Sequence, residues 1–374
     1  MTSEIKHRQL KKKLTISIPT WNRSIYLKDL LDQLIEQVRD FQFEPHIEIL
    51  VSNNDSSDDT ETIVLALREQ HSFIKYHRNP ENIGAKSNVI RSMEMAESDF
   101  VMVLGDDDRI RYDCLKEILF LLNTLDQPGI LIDKSNSKVA GNFDNQPLPL
   151  EDLIDNFYWY IGNAGVFIVR TEYMRKLLAE VNYDGLNECW PQTQAMIFGS
   201  IKAPGNKIYV YDLHIHAKSI HEEVMIYNSF YLWRTCTLEL VNSINGIRSL
   251  INAEIYQAAL KYIKSNMPQQ LFNILQCGIF VDDKLQRRKT GKHIISKAYL
   301  FSTTGKLYLY FIATVLLLPV GISKLLSNCT IYFLKGSEGL KKKNLFVKHE
   351  LEKKAALQKQ KVKSIRTLEF EIDN

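Results

Sequence analysis

The chain has 374 residues, of which 45% are hydrophobic and 24% are charged, and its formal net charge is +3. This composition is typical of a folded protein with room for about two domains, and it excludes a disordered chain. So small a net charge also argues against a nucleic acid as partner.

Apolar bursts alternate with helical periods through the first half of the chain. Strands that alternate with helices predict an α/β fold with a mostly parallel sheet, which binds ligands beyond the carboxyl ends of its strands. The predicted strands are 14–18, 47–51, 73–76, 100–104, 129–132, 164–169 and 208–213. The predicted helices between them are 27–38, 63–67, 89–96, 115–125, 172–181 and 194–199. We expect 134–163 to be irregular and 225–275 to be helical throughout.

The first polar segment at a strand end contains Pro19, Thr20, Asn22 and Arg23. It stops the first strand and exposes backbone N–H groups just before a helix, where a nucleotide base or phosphate can bind. A plain turn with a helix cap is the alternative.

The second polar segment, residues 51–60, follows the second strand. Asn53 and Asp55 could contact the polar edge of a base or a ribose hydroxyl, while Ser57 or Asp58 could cap the next helix. The segment is longer than a cap needs, so it allows both functions.

The third segment, residues 82–88, again opens a helix and contains Asn82, Gly84 and Lys86. The glycine permits a close approach of the backbone, and the lysine could reach a phosphate. Alone, this segment is weak evidence.

The fourth segment gives the strongest signal: Asp106, Asp107 and Asp108 follow directly on the fourth strand. Three adjacent carboxylates repel one another unless a positive charge lies among them. Mg²⁺ or Mn²⁺ prefers oxygen ligands and could bind a diphosphate at the same time. A solvated acidic turn that caps the next helix is the alternative.

Taken in order, these four segments resemble the family-2 glycosyltransferases of the GT-A fold. The resemblance covers about residues 14–200 and implies a nucleotide-diphospho-sugar donor, a divalent ion and inversion at the anomeric carbon. Carried over by position, the residues along the donor are Pro19, Thr20, Asn22, Arg23, Asn53, Asp55, Asn82, Gly84, Lys86, Asp106 and Asp107. The same resemblance implies that Asp106, Asp107 and Asp108 hold the metal.

Two positions depart from the usual family pattern. Asn53 and Asn54 stand where paired aspartates are common, which leaves the base of the nucleotide open. Gly105 occupies the place of a frequent first acid. The resulting sequence LGDDD is similar to that of bacterial O-antigen and lipopolysaccharide transferases of the abequosyltransferase-like group.

An inverting transfer needs a base for the acceptor hydroxyl. The place in this chain that matches the family's base contains Glu188, our first candidate, and Asp184, the second. An ordinary acid in the first turn of a helix is the alternative for Glu188. Trp190 could stack on an acceptor sugar or belong to the core, and Asn163 resembles the acceptor side of the family.

Three histidines, His214, His216 and His221, are spaced like metal ligands but have few carboxylates near them in the sequence. We therefore interpret them as core or loop residues. His221 could instead contact the diphosphate from a closing loop.

Residues 307–323 contain no charged residue, which is borderline for a helix that spans a bilayer. A single span, a core helix, and a hairpin or in-plane anchor that bends near Pro319 and Gly321 are all possible. Basic residues on both sides favour the anchor, because a span would place one basic flank on the wrong side. A membrane position suits an acceptor linked to polyprenyl diphosphate, as the family implies.

The five cysteines are far apart and form no CxxC pair or cysteine–histidine cluster, which fits a reducing compartment. Residues 1–13 are basic but lack the apolar stretch of a signal peptide. We therefore expect a position on the cytoplasmic face of the inner membrane. The predicted regions are a glycosyltransferase domain (1–222), a helical region (223–298), a membrane-associating segment (299–334) and a basic tail (335–374).

The sequence thus favours an inverting, metal-dependent glycosyltransferase of surface polysaccharide synthesis, acting on a glycan acceptor at a membrane surface. One alternative is a nucleotidyltransferase that acts on a sugar phosphate, although the glycine-rich loop expected after the first strand is missing. The other is a degenerate transferase that serves as a membrane scaffold.

Overall fold

A computed structural model of the chain describes residues 12–137, 139, 143, 146–158, 160–217, 229–280, 282, 284–301, 303–329, 341, 344 and 348. The strands are β1 (Leu14–Thr20), β2 (Ile47–Asn53), β3 (Ile74–Arg78), β4 (Phe100–Val103), β5 (Pro128–Asp133), β6 (Phe167–Arg170) and β7 (Lys207–Tyr211). The α-helices of the first 202 residues are α1 (Ser24–Asp40), α2 (Thr60–Gln70), α3 (Gly84–Glu94), α4 (Cys114–Thr124), α5 (Leu150–Phe157), α6 (Glu172–Leu178) and α7 (Pro191–Lys202). The later ones are α8 (Ser229–Trp233), α9 (Glu239–Gly246), α10 (Ala253–Phe280), α11 (Lys284–Lys297) and α12 (Thr303–Leu317).

The seven strands form one sheet in the order β3-β2-β1-β4-β6-β5-β7. Only β6 runs antiparallel to its neighbours, β4 and β5; the other pairs are parallel. The expected mostly parallel sheet with flanking helices is therefore confirmed. Its central strands are buried on both faces, since helices cover both sides of such a sheet.

Helix α1 shows how the apolar period builds the core. Its buried face is the one that the sequence predicts and consists of Leu27, Leu30, Leu31, Leu34, Ile35 and Val38. These side chains pack with those of β1, β2 and β4 in one hydrophobic cluster. The cluster holds the strands in a register that pairs Thr20 with Asn53 and Ser17 with Val103, so three strand ends meet at one edge.

The expectation of irregular structure over 134–163 is wrong for most of its second half. Helix α5 occupies Leu150–Phe157, and a 3₁₀ turn follows at Tyr160–Gly162. The helix is only two turns long and buries Leu153, Ile154 and Phe157. Two prolines stand before it, so its apolar period is too short to be recognised beside them.

The chain divides into two compact units, the first comprising residues 1–221 and 242–262 and the second residues 222–241 and 263–374. The region boundaries predicted from the sequence stay predictions. Residues 225–228 lie outside the described part, and from Ser229 to Phe280 the described structure is helical except near 247–252, close to the expectation.

In the second unit, α11 packs tightly on α12. A Cβ added at Gly291 would lie 3.0 Å from Leu317 Cγ, so the glycine lets the two helices approach closely. Helix α12 buries Leu309, Ile312 and Leu316 on one side. Helix α12 stops at 317, and residues 320–329 are helical again, so the helix is interrupted at 318–319, next to the position where the anchor alternative places a bend. Among the described residues, no helix is both long and apolar enough to cross a membrane.

Candidate active site

The candidate site lies at the carboxyl edge of the sheet, where β1 stands between β2 and β4. Thr20 ends β1, and the turn after it carries Asn22 and Arg23. The backbone N–H of Leu104 still pairs with Ser17 of β1. The acidic triplet begins two residues later. The predicted first and fourth segments are thus neighbours in space although more than 80 residues separate them.

Asp106 is the buried member of the triplet, with 5% of its surface exposed. Its Oδ2 accepts a hydrogen bond from Thr20 Oγ1 at 2.7 Å, and its Oδ1 lies 2.6 Å from Nη1 of Arg23. Burial raises the pKa of Asp106 above its ordinary value, while the Arg23 guanidinium and the Thr20 hydroxyl oppose that rise. Arg23 and Thr20 thus partly compensate for the burial of this carboxylate.

The other two carboxylates point to different partners. Asp107 Oδ1 lies 3.0 Å from the same Arg23 Nη1, so two carboxylates converge on one guanidinium nitrogen. Asp108 instead accepts a hydrogen bond from the Gly105 N–H at 2.7 Å, and its other oxygen lies 3.6 Å from His216 Nε2. In the described residues, no three Asp, Glu, His or Cys side chains form a metal-binding group. That all three aspartates share one ion stays a prediction.

The turn after β2 uses its asparagines to hold its own backbone. Asn53 is fully buried, donates to the hydroxyl of Tyr76 at 2.8 Å and accepts from the N–H of Ser56 at 2.9 Å. Asn22 Oδ1 accepts from the N–H of Ser57 at 2.8 Å. The first and second segments are therefore tied together, and the Asn53 amide groups serve the turn.

Asp55 lies at the surface in an ion pair with Arg78, 2.6 Å away. Asn82 belongs to the next turn, where its Oδ1 accepts from Asn54 Nδ2 at 2.7 Å and from the N–H of Gly84 at 2.9 Å. Gly84 has a φ of +81°, a conformation in which glycine is favoured. This explains the glycine at the start of α3 without a ligand.

Helix α3 brings Lys86 to the candidate base. Lys86 Nζ donates to Glu188 Oε1 at 2.6 Å, and Glu188 keeps nearly half of its side chain exposed. Asp184 lies on a separate 3₁₀ turn, Tyr183–Gly185, and is exposed. Of the two candidate bases, Glu188 is the one joined to a predicted donor residue.

Trp190 is buried, with 5% exposed, and its ring occupies the space above Gly162, where an added Cβ would lie 1.9 Å from a ring carbon. Asn163, next in the chain, donates its side-chain amide to the Tyr160 carbonyl at 2.9 Å. Trp190 therefore supports the 160–163 turn that carries Asn163. The acceptor contacts predicted for both residues stay predictions.

Residues 15–168 match the family model described as "Glycosyl transferase family 2". These residues, about two fifths of the chain, are therefore similar to family 2 glycosyltransferases. The acidic triplet, the three turns and Asn163 all lie within the matched residues, whereas Asp184, Glu188 and Trp190 lie beyond them.

Curated relatives match the chain over a part of their length. Abequosyltransferase RfbV of Salmonella typhimurium is 36% identical over 103 residues, 27% of this chain and 30% of that protein. A GalNAc(5)-diNAcBac-PP-undecaprenol beta-1,3-glucosyltransferase of Campylobacter jejuni is 32% identical over 108 residues, 29% of this chain and 33% of that protein. Each match thus spans about a third of the relative.

Solved structures support the GT-A-type fold over most of the chain. S. aureus TarS 1-349 is similar with a TM-score of 0.55 and 16% identity, over 87% of this chain and 92% of that chain. The same protein in complex with UDP has a TM-score of 0.52 and 15% identity, over 82% and 90% of the two chains. At such identities the likeness concerns the fold.

His216, which the sequence led us to interpret as a core or loop residue, lies beside the candidate site. It follows β7 and reaches the acidic triplet because it forms an isolated antiparallel bridge with Ile110. Burial lowers the pKa of His216, but the Asp108 carboxylate outweighs burial, so the pKa is raised overall. A Cβ at Gly165 would lie 2.3 Å from the imidazole, so Gly165 makes room for the ring. His221 lies outside the described residues.

Proposed function

We propose that this chain is an inverting glycosyltransferase of surface polysaccharide synthesis. It moves a sugar from a nucleotide-diphospho-sugar to a glycan acceptor linked to polyprenyl diphosphate. The observation that carries this proposal is the convergence of Asp106 and Asp107 on one cationic nitrogen at the carboxyl edge of the sheet, within 3.0 Å. The match of residues 15–168 to the family 2 model supports it. So does the similarity to the Campylobacter relative, a glucosyltransferase named for an undecaprenol-linked substrate.

The donor lies along the turns after β1, β2 and β3. The predicted contacts are Pro19, Thr20, Asn22, Arg23, Asn53, Asp55, Asn82, Gly84 and Lys86, together with Asp106 and Asp107. Because the Asn53 amide is buried and already hydrogen-bonded, its part is to shape the turn that faces the nucleotide.

The donor set fits a divalent ion, since the oxygens of Asp106 and Asp107 that contact Arg23 are the ligands that Mn²⁺ or Mg²⁺ prefers. Asp108 is the third proposed ligand. Such an ion, when bound, offsets the negative charge on the departing nucleoside diphosphate. Arg23 balances these carboxylates in the structure, and its fork of N–H donors would also suit the phosphates of the nucleotide sugar.

Glu188 takes the proton from the acceptor hydroxyl, which then attacks the anomeric carbon as the bond to the diphosphate breaks. Lys86 orients Glu188 through the 2.6 Å hydrogen bond between them. Asp184 is the second candidate for the base. Trp190 and Asn163 are the proposed acceptor-side residues. Because Trp190 is buried against Gly162, it acts by supporting the turn that carries Asn163.

The proposal is tested by incubating the protein with Mn²⁺, a panel of nucleotide sugars and a polyprenyl-diphosphate acceptor, and by measuring released nucleoside diphosphate. The double variant Asp107→Ala/Asp108→Ala should lower the rate of sugar transfer at least about 100-fold, because the charge on the leaving group is then poorly offset. Asp126→Ala is the control, since Asp126 is an exposed carboxylate that pairs with Lys207. Full activity of the double variant without metal would overturn the site.

Two further outcomes would favour the alternative functions. Release of pyrophosphate from a sugar phosphate and a nucleoside triphosphate would assign a nucleotidyltransferase. Failure of every nucleotide sugar to bind in calorimetry, with Mn²⁺ present, would assign a scaffold.

The proposed position is the cytoplasmic face of the inner membrane, with peripheral or monotopic attachment through 299–334. Helix α12 exposes Leu307, Tyr308, Tyr310 and Phe311 opposite its buried side, an arrangement that suits a helix lying in the interface. After cell lysis the protein should sediment with membranes. Recovery of all the protein in the supernatant at low salt would contradict this attachment.

A further inference from the structure

The second unit contains a cavity of about 460 Å³ whose lining combines positive charge with apolar surface. Lys284, Arg287 and Arg288 of α11 supply the positive charge, and Asp282 is the one carboxylate in the lining. Ile279 and residues 317–320, where α12 ends, supply the apolar part.

Arg287 is the unusual member, because its guanidinium is buried with 5% of the residue exposed. Nη2 donates to the Leu318 carbonyl at 3.1 Å and Nη1 to Ser323 Oγ at 3.5 Å. Its Nε has no hydrogen-bond partner, and within the described part of the chain no carboxylate pairs with it. Among the described residues this buried cation has no counter-ion, which is costly, and a bound anion would offset that cost.

Asp282 forms no ion pair with Arg287 in the described part of the chain, and its carboxylate is hydrogen-bonded to Ser229 instead. It accepts from the Ser229 N–H at 3.2 Å and from the Ser229 hydroxyl. Lys284 and Arg288 are exposed and add further positive charge to the same cavity. Three cations thus face one engaged carboxylate, and a phosphate group is the anion that guanidinium and ammonium donors bind well.

The apolar part of the lining indicates where the phosphate comes from. A free anion gains nothing from contact with the side chains of 317–320, whereas a lipid phosphate carries hydrocarbon beside its charge. Val320, Ile322 and Leu325 continue from this lining as exposed apolar residues of the 320–329 helix. Exposed apolar side chains beside a basic cavity suit the boundary between headgroups and acyl chains.

We infer that this cavity binds the phosphate group of an anionic membrane lipid, with Arg287 as the buried contact and Lys284 and Arg288 at the opening. The hydrocarbon of the lipid lies along residues 317–325. This inference rests on the proposed membrane attachment and names the site that carries it. It is independent of sugar transfer, so loss of activity in the aspartate variants leaves it standing.

The test measures how the whole protein partitions onto vesicles of phosphatidylcholine that contain phosphatidic acid, whose phosphate is not covered by a headgroup alcohol. Lys284→Gln removes one charge at the cavity. Lys292→Gln removes the same charge from an exposed position of α11 that is outside the lining, so it is the matched control. We expect Lys284→Gln to weaken partitioning about tenfold, the effect of one lost hydrogen bond to a charged group, and Lys292→Gln to weaken it much less.

A second arm replaces Arg287 by Met and follows thermal unfolding with phosphatidic acid vesicles, with inorganic phosphate, and without either. The vesicles should raise the melting temperature of the unmodified protein and leave that of Arg287→Met unchanged. Equal partitioning of the Lys284 and Lys292 variants would overturn the inference. So would stabilisation by inorganic phosphate without vesicle binding, which would assign a free anion, or the lack of any response to both probes.

Discussion

Arg23 and Arg287 are both largely buried arginines, and they differ in what faces them. Arg23 lies against two carboxylates at the edge of the sheet, at 2.6 and 3.0 Å. Arg287, in the second unit, meets a carbonyl and a hydroxyl, and its Nε has no partner among the described residues. The first charge is balanced within the folded chain, whereas the second is left for a ligand.

This difference shows two ways in which a protein prepares for a charged ligand. At the edge of the sheet, the Arg23 guanidinium already lies beside the two carboxylates that would hold an ion. An ion bound there would therefore replace Arg23 as their cationic partner. In the second unit, an anion would bind Arg287 without replacing another charged partner. Its binding would offset the free-energy cost of burying the Arg287 charge. Variants of the two regions should therefore respond differently in activity, stability and pH dependence.

The largest effect on the transfer rate is expected for Glu188, which contacts Lys86 in the candidate active site. Glu188→Gln removes the proposed base and should lower the transfer rate by about 10²- to 10⁴-fold, the usual contribution of a positioned base. The measurement is kcat for sugar transfer at saturating donor. Asp184→Asn should stay close to the unmodified rate, and the reverse order of the two variants would assign the base to Asp184.

The comparison itself is tested by replacing each arginine with methionine. Arg23→Met leaves Asp106 buried without its cation, which should lower the free energy of unfolding by about 3–5 kcal/mol. Arg287→Met removes a buried charge that has no counter-ion, so without lipid its free energy of unfolding should change by less than about 1 kcal/mol or rise. Denaturant titration in the absence of metal and lipid measures both. Equal destabilisation by the two changes would break the distinction.

A smaller effect concerns acid stability in the second unit. His293 accepts a hydrogen bond from Trp233 Nε1 at 2.8 Å; burial and then the charges of Lys297, Arg234 and Lys289 lower its pKa to about 4. The His293 imidazole takes up a proton near pH 6.5 in the unfolded chain but only near pH 4 in the folded chain. The free energy of unfolding should therefore fall as the pH drops from 6.5 to 4, by at most about 3 kcal/mol.

His293→Gln keeps an acceptor for the Trp233 N–H but cannot be protonated. Its free energy of unfolding should lose that part of the acid sensitivity between pH 6.5 and 4, as measured by denaturant titration at a series of pH values. Identical pH profiles for the variant and the unmodified protein would show that His293 does not remain neutral in the fold.

The sequence alone predicts the mostly parallel sheet and the four polar segments at its edge. It does so because apolar periods reflect local burial, and because parallel strands place their carboxyl ends together. The sequence also indicates Arg23 and Asp106 as site residues. It does not predict their contact, because the partners of these charged side chains depend on the register between β1 and β4. The sequence does not reveal α5, whose apolar period is too short. It also does not place His216 beside Asp108, because that contact depends on one bridge with Ile110.

For this protein, then, local patterns in the chain were enough to determine the fold class, the edge where chemistry should be sought and the acids expected there. Only the tertiary structure decided which charges are neutralised from within and that Trp190 is buried against Gly162. It also decided that Arg287 lines a cavity in which no described carboxylate pairs with it. The physical reason is that burial and charge pairing arise from contacts between distant segments. The residue types along the chain do not record those contacts.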